Sequence, residues 1–179
     1  MKVEPPHRFS KGLPCMGKSM RISDLITPAS IAVRVHIDDK SHALRFTAKA
    51  LGARSGVPPE RIREALAARE ALGSTGIGRG VAVPHVCLPG LDRPYAFLCS
   101  LARPIGFDSI DGERVDLVCA VITPTTSQSG ASESLANLAA ISRLLRDKDR
   151  ASAMRKAVKA ADIYDVIVKQ ADNAGQPAS

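Results

Sequence analysis

Residues Val115–Thr123 read VDLVCAVIT, and only Asp116 interrupts an otherwise apolar run. That run constrains the fold more than any other feature of the chain. It falls well short of the ~20 apolar residues that span a bilayer. A strand without polar alternation is buried on both faces, as in a sheet covered by helices on each side. Tyr95–Leu101 is a second apolar run, and Ile31–Ile37 is a short β-branched one.

Helical patterns lie between and after these runs. Asp38, Asp39 and Ser41 offer capping oxygens before a stripe of Ala43, Phe46, Thr47, Ala50 and Leu51, which Gly52 and Gly56 are expected to end. Pro58-Pro59-Glu60 suits the first turn of the next helix, where proline gives up no needed N–H. The apolar face of that helix is Ile62, Ala65 and Leu66, and the next position on it is Arg69. Two readings of Arg69 stand open: an arginine snorkelling near a helix end, or a cation aimed at an anion. Glu133–Asp147 carries Leu135, Leu138, Ile141 and Leu145 at helical spacing, and two short helices follow, the last with Ile163, Val166 and Ile167. Helices alternating with apolar strands give an α/β domain, layered α/β/α.

With 179 residues, 45% of them hydrophobic, the chain fits one domain with a real core. Residues 1–19 mix Pro, Gly, Lys and Ser without period and read as a flexible tail. The domain is expected over 20–170, with 171–179 as a second loose end. The net charge of +7 raises the question of nucleic acid. Residues 1–19 hold Lys2, Arg8, Lys11 and Lys18 against Glu4, net +3, which leaves +4 dispersed among acids elsewhere. There is no RNA-binding aromatic motif and no finger spacing, so nucleic acid is not an expected partner. The basic N-terminus lacks the apolar segment of a secretory signal. The four cysteines (Cys15, Cys87, Cys99, Cys119) form no CxxC pair or disulfide framework. A cytoplasmic location without membrane insertion is the resulting expectation.

Chemistry concentrates between residues 69 and 87. Gly73–Gly80 (GSTGIGRG) is neither a Walker loop, because Arg79-Gly80 replaces Lys-Ser/Thr, nor the GxGxxG fingerprint. Such a loop is either a plain structural turn or a set of backbone N–H groups open to an anion. His85 follows Pro84 at the end of the strand-like Val81–His85, and strand ends in α/β sheets are where ligands bind. The competing reading is an ordinary surface histidine. His85 with Cys87 lacks the second pair that a tetrahedral metal site needs. Nor are side chains two apart well placed as thiol nucleophile and base. No metal and no cofactor is expected.

The run REALGSTGIGRGVAVPH over 69–85 resembles the signature of phosphotransferase-system IIA domains of the fructose/mannitol class, nearest their nitrogen-regulatory branch. PIGFDSIDGERVDLV over 104–118 and ISRLLRD over 141–147 extend the likeness across nearly all of 20–170. The resemblance implies an α/β/α sandwich around a mixed, mostly parallel sheet. It implies a phosphohistidine phosphocarrier that takes its phosphoryl group from an HPr-like carrier protein and acts on downstream regulatory targets. It makes His85 the phosphoacceptor, puts Arg69 beside the phosphoryl group, and sets Ser74, Thr75, Gly76, Gly78 and Gly80 around it. Two departures stand out. The family's second histidine, in His-Leu-x-x-Leu, is here Ser134 of SLANL, and Val86-Cys87 replaces the usual small and basic pair after Pro-His. Both remove donors or positive charge from the phosphate's surroundings. If Ser132 caps the helix, Ser134 falls in its first turn, where free N–H groups favour an anion. The alternatives are a divergent regulator that works by protein binding with weak or no transfer, and a sugar-specific IIA component.

Overall fold

The computed structural model describes residues 21–125 and 128–173. The chain order is α1 (Ile22–Leu25), a 3-10 turn (Pro28–Ser30), β1 (Ile31–Val35), α2 (Lys40–Ser55) and α3 (Pro59–Ala71). Strands β2 (Gly76–Gly78), β3 (Val81–Ala82), β4 (His85–Leu88), β5 (Tyr95–Ile105) and β6 (Val115–Pro124) follow. The chain then forms α4 (Gln128–Arg146), α5 (Lys148–Lys156) and α6 (Ala160–Asn173). The expected tail over 1–19, with His7 and Cys15, lies outside the described residues, as do 174–179.

The sheet order is β1-β5-β6-β3-β2, with β4 also paired to β6. Three of the five pairings are parallel (β1 with β5, and β3 and β4 with β6), while β5–β6 and β2–β3 are antiparallel. The expected mixed sheet is therefore present. Along β6 the side chains alternate between two cores. Val118, Ala120 and Ile122 pack with Leu44, Leu51, Ile62 and Leu66 of α2 and α3. Leu117, Cys119 and Val121 pack with Ile141, Leu144 and Leu145 of α4, Met154 of α5 and Ile163 of α6. Each face buries its own apolar layer, which makes the α/β/α sandwich and explains why the sequence of β6 shows no polar alternation.

Local chemistry sets the helix ends. The Asp39 carboxylate accepts from the His42 N–H at 2.7 Å and caps α2. Gly56, at φ 74°, ends that helix in the left-handed conformation. Gly52 was expected to help end it and instead lies inside it. A Cβ there would come within 2.8 Å of Pro59 Cγ and 2.9 Å of the Val57 carbonyl, so the glycine permits the close α2–α3 approach. Helix α4 also begins earlier than the apolar stripe implied. Residues 128–132 are helical although they carry no apolar period. Leu135, expected on the buried face, is 68% exposed, while Ile141, Leu144 and Leu145 are fully buried.

Two predictions follow from this packing. Gly52→Ala should destabilise the fold by about 1–3 kcal/mol despite the better helix propensity of alanine, because the methyl overpacks against Pro59; urea or thermal unfolding measures it, and unchanged stability would show that α3 yields. Cys99 and Cys119 are wholly buried: burial pushes the Cys99 thiol up to about 12, and burial with the neighbouring Cys99 pushes Cys119 up as well. Cys87 is exposed. Iodoacetamide on the native protein should therefore label Cys87 and spare Cys99 and Cys119 until the chain is unfolded, read by peptide mass mapping.

Candidate functional site

Strands β3 and β4 form one interrupted line along β6. Val81 pairs with Leu117 and His85 with Val121, each partner lying 36 positions further on, so the register survives the break. The expected single strand Val81–His85 is instead broken at Val83-Pro84, and His85 opens β4 rather than ending a strand. Pro84 has no N–H to give the ladder, but its carbonyl accepts from the Val121 N–H at 2.8 Å. The Val83 carbonyl does not go to β6. His85 Nδ1 lies 2.8 Å from it, so Nδ1–H donates to that oxygen. A ring nitrogen that faces a carbonyl has to carry the proton, which leaves the lone pair on Nε2.

His85 and Cys87 point to the α4 side of the sheet, with Val121 and Thr123 of β6. A cavity of about 200 Å³ opens there, lined by His85, Cys87, Thr123, Ser134, Leu135 and Leu138 with Val86 and Val121. The structure thus brings Ser134 and His85 to one hollow. Cys87 Sγ is 3.3 Å from Thr123 Oγ1. Because α4 starts at Gln128, Ser134 is the seventh residue of the helix and not part of its first turn. The expectation that free helical N–H groups would assist an anion at Ser134 is thereby corrected.

Arg69 does not line this cavity. It is partly buried at the last turn of α3, where its Nη1 donates to the Gly73 carbonyl at 3.0 Å. The buried stripe of α3 is Ile62, Leu66 and Glu70, so the charged residue that continues the apolar face is the acid one position later. Sequence reasoning missed Glu70. Its spacing, four residues after Leu66 and eight after Ile62, is as compatible with the buried face as that of Arg69, so spacing alone did not single it out.

Glu70 organises the glycine loop. Its Oε2 accepts from the Thr75 N–H at 3.0 Å and from Thr75 Oγ1 at 2.5 Å. Its Oε1 accepts from Lys40 Nζ at 3.2 Å, and Lys40 also reaches Asp108 at 2.6 Å. Lys40 begins α2, where the helix dipole disfavours a cation, and the two carboxylates offset this. Burial pulls the Lys40 ammonium down, but the hydrogen bonds and charges of Asp108 and Glu70 outweigh it, so the net shift is upward. Lys40 also lies 5.5 Å from the centroid of the Phe107 ring.

The other loop residues named by the sequence also have internal partners. Ser74 Oγ donates to the Phe107 carbonyl at 2.7 Å and accepts from the Gly76 N–H at 3.0 Å. A side chain on Gly76 would collide with Ser109, one on Gly78 with Asp111, and one on Gly80 with Asp116 and Arg155. Arg79, at φ 57°, donates its N–H to Asp111 at 2.7 Å and its Nη1 to the Arg146 carbonyl that ends α4. That backbone bond is the main cause of the lowered Asp111 pKa. Ser74, Thr75, Gly76, Gly78 and Gly80 therefore lock the loop onto α3, the 106–114 segment and α5. None of them lines the cavity of His85. Among the described residues no group of three His, Cys, Asp or Glu side chains is placed to hold a metal ion, and no helix is long and apolar enough to cross a membrane.

Residues 24–170 match the family model described as phosphoenolpyruvate-dependent sugar phosphotransferase system, EIIA 2. The chain is 38% identical over 148 residues to a nitrogen regulatory protein of Bradyrhizobium diazoefficiens, covering 83% of this chain and 95% of the relative. It is 31% identical over 160 residues to the nitrogen regulatory protein of Escherichia coli K12, covering 89% and 94%. The crystal structure of the nitrogen regulatory protein IIA-Ntr from Neisseria meningitidis superposes with a TM-score of 0.76 at 25% identity, over 82% of this chain and 98% of that one. On sequence and fold together, this chain belongs to the EIIA 2 family of the phosphoenolpyruvate-dependent sugar phosphotransferase system.

Proposed function

We propose that the chain is a regulatory, nitrogen-type phosphocarrier that accepts a phosphoryl group on His85 from a phosphorylated HPr-like protein and signals to downstream target proteins. The observation that carries this reading is the Nδ1–H bond to the Val83 carbonyl, which leaves Nε2 as the nucleophilic nitrogen of a side chain beside an open cavity. In the step, the bond from phosphorus to the donor breaks as the Nε2–P bond forms. The proton stays on Nδ1, and the ring's developing positive charge falls on a nitrogen already bonded to a carbonyl dipole. Phosphoryl transfer asks the protein for positioning and charge stabilisation more than for covalent chemistry.

Arg69 supports the same reading as the cation for the phosphoryl oxygens. Only one of its five donors is committed among the described residues, to Gly73. Ser74, Thr75, Gly76, Gly78 and Gly80 act by fixing the loop that carries that carbonyl. Leu72 and Ile110, both strongly exposed, border the loop, and Leu135 is exposed at the cavity. Exposed apolar side chains, of which Leu135 lies at the cavity itself, suit a protein partner. A binding regulator with weak transfer is the second reading. It is favoured by a cavity whose lining, among the described residues, holds no Lys or Arg and has Ser134 where the family pattern leads one to expect histidine.

His85→Ala should abolish acid-labile phosphate taken from phosphorylated HPr-like carrier, read by intact mass. Arg69→Ala should slow transfer by ~2–4 kcal/mol of barrier with a small effect on unfolding. Normal phosphate entry into His85→Ala would end the assignment. Ser134→His should speed transfer by roughly tenfold to a hundredfold, the weight of one added donor beside the reacting group. Equal rapid-quench rates for Ser134→His and wild type would make the serine neutral and leave Val86-Cys87 as the departure that matters.

A further inference from the structure

We infer that Glu70 is a positioning residue for His85, acting through Thr75 and the Val83 carbonyl to fix which imidazole nitrogen is the nucleophile. This rests on the phosphoacceptor reading of His85 and extends it to a residue with no contact to the reacting atoms. The path is short and each of its bonds is present. The Glu70 carboxylate takes both the N–H and the hydroxyl of Thr75. The Thr75 carbonyl accepts from the Val83 N–H at 2.9 Å, and the Val83 carbonyl accepts from His85 Nδ1 at 2.8 Å. Lys40 secures the far end by holding Oε1 of Glu70.

The segment that presents the carbonyl has few backbone bonds: the Pro84 carbonyl accepts from the Val121 N–H, and the Val83 side chain is buried in the core on the α4 side. β3 is two residues long, and Pro84 cannot donate to a ladder. The Val83 N–H is committed to Thr75, and it is the last such bond before the break in the strand line. Thr75 is 3% exposed and Glu70 8% exposed, so water cannot substitute freely for either. A buried carboxylate with its acceptor sites filled by N–H, O–H and ammonium donors is a stiff anchor, because charge-assisted hydrogen bonds are short and strong. If that anchor is lost, the Val83 carbonyl is free to move away from Nδ1. The imidazole proton can then reside on Nε2, where it blocks attack on phosphorus.

A residue that merely stabilised the loop would alter melting and leave the tautomer alone. The test is therefore the His85 tautomer in the unphosphorylated full-length chain, read from long-range nitrogen–proton NMR correlations of the ring, beside single-turnover transfer from phosphorylated HPr-like protein. Wild type should show the proton on Nδ1. Glu70→Gln, which keeps the size but sets an amide between Thr75 and Lys40, should shift population toward the Nε2–H form. It should slow transfer at saturating donor by roughly tenfold to a hundredfold, as misplacement of a reacting group does, with the apparent affinity for donor unchanged. Thr75→Val, isosteric and still carrying the backbone N–H, should move both readouts in the same direction by less, and it replaces Glu70→Gln if that variant does not fold. A folded variant with His85 still wholly in the Nδ1–H form and an unchanged rate overturns the role of Glu70 and leaves the phosphoacceptor reading standing. Wild type that takes up no phosphate overturns the phosphoacceptor reading, and this inference with it.

Discussion

The pairing register of β6 with its neighbours governs everything else in the molecule. β6 is the strand on which both cores meet: Val118, Ala120 and Ile122 face α2 and α3, and Leu117, Cys119 and Val121 face α4 to α6. β3 and β4 keep one register along it although Val83 and Pro84 interrupt them. A slip of one residue would move every side chain of β4 to the opposite face. His85 would leave the cavity it shares with Ser134 and turn toward the core of α2 and α3, where an imidazole has no polar surroundings. The apolar alternation of β6 is thus the reason that the histidine faces α4 at all.

How much of this could be read in the chain depends on how local the cause was. β6 was legible because an apolar run broken only by Asp116 has few other places to go. The start of α2 was legible because Asp39 caps its own helix three residues ahead. Arg69 and Glu70 were harder. Both lie near the edge of the stripe set by Ile62 and Leu66, and spacing alone does not choose between seven and eight residues on. The choice is made by Lys40 and Thr75, which arrive from other elements and give the carboxylate the partners a buried charge requires. Gly52 read as a helix end because glycine is a poor helix former, yet its role is steric and comes from Pro59 across the hairpin. The first turns of α4 carry no apolar period, so nothing in residues 128–132 announced a helix, and the position assigned to Ser134 was wrong in consequence.

Charge is distributed unevenly around the domain. Among the described residues the His85 cavity has no Lys or Arg in its lining. Arg79, Arg143 and Arg146 instead gather where α4 ends. From Ser134 to Arg146 is twelve residues of helix, about 18 Å at 1.5 Å per residue. The basic residues there complement the helix dipole, and Arg79 serves the backbone directly by capping Arg146. Gly78 and Gly80 belong to this end of the loop, where their missing side chains admit Asp111, Asp116 and Arg155. The glycine-rich segment therefore does two structural jobs. Its first half is tied to Glu70 and its second half to the end of α4, and the histidine follows five residues after Gly80.

An apolar hollow beside the His85 imidazole has consequences for what can be done there. Low polarity strengthens any charge that does enter, so a single guanidinium or a donor from a partner protein weighs more than it would in water. On the phosphocarrier reading, a partner seated over the exposed Leu135 would shield a phosphorylated ring from solvent. Transfer would then be gated by a partner that covers the exposed leucine and brings its own polar groups. A metabolic carrier benefits from fast exchange with many donors and acceptors. A regulator benefits from a phosphorylated state that persists until the right partner arrives, and on the phosphocarrier reading slower exchange at a site with Ser134 would suit that second role.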